Sequence, residues 1–190
     1  IAAFGILLGG LLKGVAGMGE PLLAIPVLAA IYDVPTAIAV MALSLLVSNI
    51  WQMWDNRDAR EARHTLLLML VGCGIGVVLG TFLLGIAPEA WLAVTLAVLV
   101  FSYVVLHLTR PDVALSPPGA RRLAVPAGLL TGFLQGTAGI STPVSVTFVH
   151  AQRLPRRAHL FAVSSIFVVM SATQIAALSV AGVMNLWLAA

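Results

Sequence analysis

The amino-acid sequence predicts an all-α membrane protein with an inverted internal repeat and helices that are broken within the bilayer. Three observations predict this class. Of the 190 residues, 61% are hydrophobic and 9% are charged, whereas a soluble domain carries about 25% charged residues. Apolar runs long enough for membrane helices alternate with short polar breaks. One pattern of glycine and proline occurs twice.

The charge and the cysteine content limit the classes of partner. The formal net charge is +3, but the basic residues fall in short loops, where they set membrane topology rather than bind nucleic acid. One cysteine, Cys73, allows no disulfide within the chain and no metal cluster. We therefore expect no cofactor and no metal. Because the chain does not begin with Met and carries no signal peptide, we expect a fragment of a longer protein.

Apolar runs bounded by charged residues, proline or glycine predict the helices. The run from Pro21 to Ile31 has 11 residues, which reach about 16 Å at ~1.5 Å per residue, about half of the ~30 Å hydrocarbon core. The run from Pro143 to His150 is shorter still, so both predict half-helices. The predicted helices are Ile1–Lys13, Pro21–Tyr32, Pro35–Trp54, Thr65–Gly85, Glu89–Thr109, Leu123–Gln135, Pro143–His150 and Arg157–Val180.

The two half-helices follow the two copies of a repeat. "GVAGMGEP" at Gly14–Pro21 aligns with "GTAGISTP" at Gly136–Pro143, 122 residues later. Proline and serine positions continue the match into the next helix. The first repeat therefore covers residues 1–109 and the second covers 123–190, joined by a cytoplasmic linker at 110–122. The second repeat is truncated, since it has no counterpart of the segment 65–109.

The arginines predict that the second copy is inverted. They occur at three places along the chain, whereas the loops around Asp33 and Glu89 contain no basic residue. The positive-inside rule puts the arginine-rich segments in the cytoplasm and the other two loops outside. An odd number of crossings then separates the copies. The arginines are Arg57, Arg60, Arg63, Arg110, Arg121, Arg122, Arg153, Arg156 and Arg157.

This architecture predicts a transport function. Inverted repeats with broken helices are common among secondary transporters, whose substrate site lies near the membrane midplane. Non-helical backbone at membrane depth is tolerated only where protein buries it or where it lines a water-filled cavity. The helix N-termini at Pro21 and Pro143 present backbone N–H groups and a positive dipole end, which favour an anion.

The repeated motifs also resemble a known family of permeases. "KGVAGMGEPLLAIPVL", "AIAVMALSLLVSN" and "GFLQGTAGISTPVSV" are similar to segments of the TauE/SafE sulfite-exporter family. The match in the second motif includes Gly139, Ile140, Ser141 and Pro143. Thr142 replaces a glycine that is usual there, and Glu20 replaces an aromatic residue or glycine. The resemblance implies transport of small anions, often sulfur oxyanions or organosulfonates, as a secondary process without ATP.

Lys13 and Glu20 are the only charged residues inside predicted membrane segments, where ionisable groups are costly and often functional. In one interpretation, Lys13 is the positively charged partner of the anion and Glu20 carries a coupled proton. The other pairs the two side chains with each other across the break. The candidate substrate-binding residues are Lys13, Gly17, Met18, Gly19, Glu20, Pro21, Ser44, Asn49, Gly139, Ile140, Ser141, Thr142, Pro143 and Ser164.

Two further patterns lie on the long helices. Ser44, Asn49 and Ser164 would line the cavity with hydrogen-bond donors; the alternative is bonding between helices or to the backbone, which is common for such residues in membranes. Glycines at 72, 76 and 80 follow a four-residue spacing, which predicts a surface for close helix packing.

The sequence contains no phosphate-binding loop and no catalytic set, so we expect no enzyme. The leading prediction is a multi-pass permease of the inner or plasma membrane that moves a small anion by alternating access. An anion channel of the same fold and a non-transporting membrane scaffold remain alternatives. An oligomer is left open.

Overall fold

The computed structural model is helical throughout the regular structure that it describes. It describes residues 25, 28, 34–59, 61, 63–88, 90–91, 94–95, 97–98, 101, 105 and 114–180. The helices are α1 (Val34–Asp55), α2 (Arg63–Ile86), α3 (Pro117–Ala138), α4 (Thr142–His150) and α5 (Arg156–Val180). The described positions between 90 and 105 are also helical. The prediction of an all-α protein is confirmed for this part of the chain.

Four of these helices agree closely with the sequence prediction. Helices α1, α2 and α5 extend the predicted apolar runs by one or two residues at an end, because their first and last turns carry polar residues. The predicted half-helix at Pro143–His150 is present as α4, which has nine residues.

Helix α3 begins six residues before the predicted start at Leu123. The Ser116 side chain accepts a hydrogen bond from the backbone N–H of Gly119, and two prolines occupy the first turn, where their missing N–H groups cost nothing. Residues 117–122 of the predicted linker are therefore helical. The first six residues of α3 include two prolines, a glycine and two arginines, so the apolar pattern begins only at Leu123.

Helices α2 and α5 are both long and apolar enough to cross a membrane. Large apolar side chains on α2 lie on its outer surface; Phe82 is 70% exposed and Val71 is 60% exposed. A soluble protein rarely exposes so much contiguous apolar surface. These side chains are suited to contact lipid instead.

Helices α2 and α3 pack with their backbones in close contact. A Cβ atom built on Gly76 would lie 2.8 Å from the backbone N of Phe133, and one on Gly80 would lie 3.0 Å from the Cα of Gly136. Real Cβ atoms essentially never come as close as the first of these distances. The predicted packing surface at Gly72, Gly76 and Gly80 is confirmed.

The partner surface on α3 is a second glycine stripe. A Cβ atom on Gly136 would lie 2.5 Å from the carbonyl oxygen of Val77, and Gly128 and Gly132 face α2 with similar closeness. The two stripes therefore interlock over about two turns. The sequence carries this signal at the same four-residue spacing, but Gly136 was interpreted only as the start of the repeated motif.

The other helices pack around this pair. Helix α5 contacts α1, α2 and α4, and α4 also contacts α3. A core of Met69, Cys73, Val77, Ile166 and Met170 lies between α2, α3 and α5. The short helix α4 therefore packs against α3 and α5.

Three chain segments that carry arginines meet at one end of the bundle. The Nη2 atom of Arg121 lies 2.8 Å from Nε2 of His64, and the backbone N–H of Leu115 donates to the carbonyl of Ala151 at 2.8 Å. Glu61 and Gln152 line one small cavity at this end. The turns after α1 and α4 and the start of α3 thus lie together.

We expect Gly76→Ala to destabilise the protein, because the new methyl group must push the backbones of α2 and α3 apart. Such overpacking costs about 1–3 kcal/mol. Gly74→Ala is the matched control on the same helix, since a Cβ there meets nothing within 4 Å. The measurement is the melting temperature of each purified variant in detergent. Equal melting temperatures for the two variants would contradict the close packing.

Candidate functional site

The candidate site is built on the interruption between α3 and α4. Gly139 has a φ of 70°, in the left-handed region that favours glycine, and its N–H donates to the carbonyl of Gln135 at 2.9 Å, which ends α3. Ile140, Ser141 and Thr142 are completely buried, at 0% exposure. The irregular backbone is thus enclosed by protein, as membrane depth requires.

Helix α4 turns back toward the end of the bundle where α3 begins. Its nine residues span about 13 Å, and the next residue, Ala151, accepts the hydrogen bond from Leu115 just before α3. Helices α3 and α4 therefore form a hairpin whose two outer ends lie together. The interruption from Gly139 to Ser141 forms its tip.

Two glutamines join this tip to α5. The Nε2 atom of Gln135 donates to Oε1 of Gln174 at 3.1 Å, and Nε2 of Gln174 donates to the backbone carbonyl of Gln135 at 3.0 Å. The hydroxyl of Ser141 donates to Oε1 of Gln135 at 2.9 Å. All three side chains are buried. This network fixes the break against α5, since buried polar groups need partners.

Gln174 is absent from the predicted set of site residues. It is a polar residue in the apolar run 157–180, three residues after Ser171, so the two share a helix face. That spacing was the available signal. Gln135 was predicted only as the last residue of a helix; it lies 122 residues after Lys13 and is therefore its counterpart in the repeat.

Several buried hydroxyls near these elements have no hydrogen-bond partner among the described residues. Thr142 Oγ1 lies at the first position of α4. Thr131 Oγ1 lies one turn before Gln135 on α3, and Ser171 Oγ lies one turn before Gln174 on α5. An unpaired buried hydroxyl indicates a site for water or a ligand. The polar faces of α3, α4 and α5 therefore retain binding capacity.

Two of the predicted lining residues on the long helices donate hydrogen bonds to backbone carbonyls of their own helices. Asn49 Nδ2 donates to the carbonyl of Leu45 at 2.7 Å, and Ser164 Oγ donates to the carbonyl of Leu160 at 2.6 Å. Both residues are buried, whereas Ser44 is half-buried. These bonds match the alternative of backbone bonding and leave only acceptor capacity on the serine hydroxyl.

The structure brings five predicted site residues together in the α3–α4 break, namely Gly139, Ile140, Ser141, Thr142 and Pro143. Ser44, Asn49 and Ser164 lie on α1 and α5, outside the break. The remaining six predicted members lie outside the described residues, namely Lys13, Gly17, Met18, Gly19, Glu20 and Pro21. The described part of the chain contains no group of three His, Cys, Asp or Glu side chains that could hold a metal ion.

Helices with lipid-suited outer faces and a buried polar interruption define a helical membrane protein with an internal polar site. The whole chain, residues 1–190, matches the family model described as Sulfite exporter TauE/SafE, and the protein belongs to that family. Family membership implies a membrane transporter for sulfur anions rather than an enzyme. Searches of curated proteins and of solved structures found no match.

We expect Ser141→Ala to destabilise the break, because Gln135 Oε1 loses the donor that the structure gives it. The cost of one such hydrogen bond is about 1 kcal/mol. Ser145→Ala is the matched control: Ser145 is equally buried, but its hydroxyl donates only to the carbonyl of Ser141 in the first turn of α4. Melting temperatures in detergent make the comparison. A larger loss for Ser145→Ala would contradict this account of the network.

Proposed function

We propose that the protein is a multi-pass secondary transporter of the inner or plasma membrane that moves a small anion by alternating access. The substrate is sulfite or another sulfur oxyanion or organosulfonate. The observation that carries this proposal is the buried α3–α4 break. Buried hydroxyls that have no hydrogen-bond partner among the described residues lie there on the same helices as the side-chain amides of Gln135 and Gln174.

The chemistry of this break suits an oxyanion. Threonine and serine hydroxyls and glutamine amides donate hydrogen bonds to sulfur-bound oxygens. The start of α4 adds the positive end of a helix dipole. These donors are neutral, so this half of the site holds a small anion by hydrogen bonds and not by a fixed positive charge. The anion can therefore be released on the other side of the membrane.

The proposed first half of the site supplies charge. The repeat alignment places Lys13 at the position of Gln135 and Glu20 at that of Thr142. We place Lys13 beside the anion and assign the coupled proton to Glu20, since a carboxylate near an anion is repulsive unless it is protonated. Contact between α1 and α5, the repeat-related long helices, supports two halves that meet.

The proposed topology puts the tip of the α3–α4 hairpin inside the membrane and its open end in the cytoplasm. The meeting of arginine-bearing segments at one end of the bundle supports this orientation by the positive-inside rule. In the inverted repeat, the hairpin that contains Lys13 and Glu20 enters from the outside. The two breaks then approach the midplane from opposite faces.

The direct test is transport by the full-length protein in liposomes. Radiolabelled sulfite, sulfate, thiosulfate and a taurine-type sulfonate are supplied with and without an imposed pH gradient. We expect saturable uptake of one or more of these anions that responds to the gradient, because alternating access couples two substrates through one site.

The outcomes separate the rival functions. Uptake that does not saturate and ignores the gradient would favour an anion channel. No uptake by folded protein would favour a membrane scaffold. Within a positive result, full transport by Lys13→Ala would remove the proposed charge role, and an unchanged pH response in Glu20→Gln would remove the coupling role.

We expect Thr142→Val to weaken substrate binding without loss of stability. Valine keeps the shape of the side chain but removes a hydroxyl that has no described protein partner. The loss of one hydrogen bond to substrate predicts a KM for uptake about 2–10-fold higher. Thr137→Val is the control, since its hydroxyl donates to the carbonyl of Phe133 in α3. An unchanged KM in Thr142→Val would exclude this hydroxyl from the site.

A further inference from the structure

A groove with two arginines lies between α2 and α3 at the arginine-bearing end of the bundle. Its volume is about 670 Å³, which is within the range of ligand sites in proteins. It is distinct from the buried break described above. The lining residues are His64, Thr65, Leu68, Pro117, Pro118, Arg121 and Arg122.

The charge of this groove is positive. Arg121 and Arg122 are both exposed, and its described lining contains no carboxylate. Arg121 lies 2.8 Å from His64 Nε2; because a guanidinium only donates, the ring nitrogen is the acceptor. This contact holds one guanidinium over the gap between the helices. The second arginine adds donors for an anionic group.

Below the arginines, the groove leads onto apolar faces of both helices. Leu68 lies one turn after His64 on α2, and Val71 continues the same face with 60% of its surface exposed. On α3, Leu130 lies two turns after Arg122 and is 51% exposed. Cationic donors therefore lie above two apolar surfaces, and one of these belongs to α2, which is long and apolar enough to cross a membrane.

We infer that this groove binds an anionic phospholipid, with its phosphate at Arg121 and Arg122 and its acyl chains along the exposed faces of α2 and α3. Basic pockets between membrane helices on the cytoplasmic side suit lipid headgroups. The apolar surfaces favour a lipid over a free phosphate, since a soluble anion would use only the polar end.

The test is binding of phosphatidylglycerol to the full-length protein in detergent. Native mass spectrometry measures the bound lipid, and the melting temperature measures the stabilisation. Phosphatidylcholine is the neutral comparison. We expect preferential binding of phosphatidylglycerol and a stabilising shift. Each arginine removed should weaken this binding about fivefold, so Arg121→Gln/Arg122→Gln should nearly abolish the preference.

Arg156→Gln/Arg157→Gln is the matched control, because it removes the same charge from exposed positions outside the groove. Arg122→Lys keeps the charge and should keep most of the preference, so it serves if the double variant in the groove folds poorly. An undiminished preference in Arg122→Gln, or an equal loss in the control pair, would overturn the proposal. Glycerol phosphate giving the same shift as the lipid would also overturn it in favour of a soluble-anion site.

Discussion

The backbone contact between α2 and α3 determines where the rest of the site can be. Gly80 and Gly136 meet with a Cβ on Gly136 placed only 2.8 Å from the Cα of Gly80, so neither helix can slide or rotate without a clash. Gln135 precedes this contact by one residue, and Gly139 follows it by three. The orientation of the amide network and the position of the α3–α4 break are therefore set by an interface that contains almost no side-chain atoms.

The absence of water in lipid explains why the break is built as it is. Ending a helix leaves backbone carbonyls without partners, and hydrocarbon offers none. Gly139 offsets part of this cost by donating its N–H to the carbonyl of Gln135, and Nε2 of Gln174 donates to the same carbonyl. The side chains of Gln135, Gln174 and Ser141 then satisfy one another. The hydroxyl of Thr142 differs from these groups, because it has no hydrogen-bond partner among the described residues.

Apolarity predicted the long helices and the short one because lipid-exposed segments obey a simple rule of length and hydropathy. It failed at the start of α3, where a serine cap, two prolines and two arginines form helix outside the apolar run. The break was predicted from Gly136 onward, but α3 continues through Ala138, since Gly136 serves the contact with α2 rather than the interruption. One glycine motif thus carries two roles that spacing alone does not separate. Gln174 was missed for a related reason: its partner on α3 is 39 residues away, and no local pattern reports such a pair.

The proposed mechanism depends on a difference between the two repeats in the sequence alignment. A symmetric pair of breaks would bind an anion equally well from both sides. Here the second repeat carries the neutral side chains of Gln135 and Thr142, whereas the positions that the sequence alignment pairs with them hold Lys13 and Glu20. In the proposed site, the neutral half donates hydrogen bonds to the oxygen atoms of the anion. The charged half attracts the anion more or less strongly, depending on whether Glu20 is protonated. In this proposed cycle, protonation of Glu20 would leave Lys13 to hold the anion, and deprotonation would pair Lys13 with Glu20 and release the anion. The two interpretations of this charged pair, mutual neutralisation and substrate binding, then become two states of one cycle.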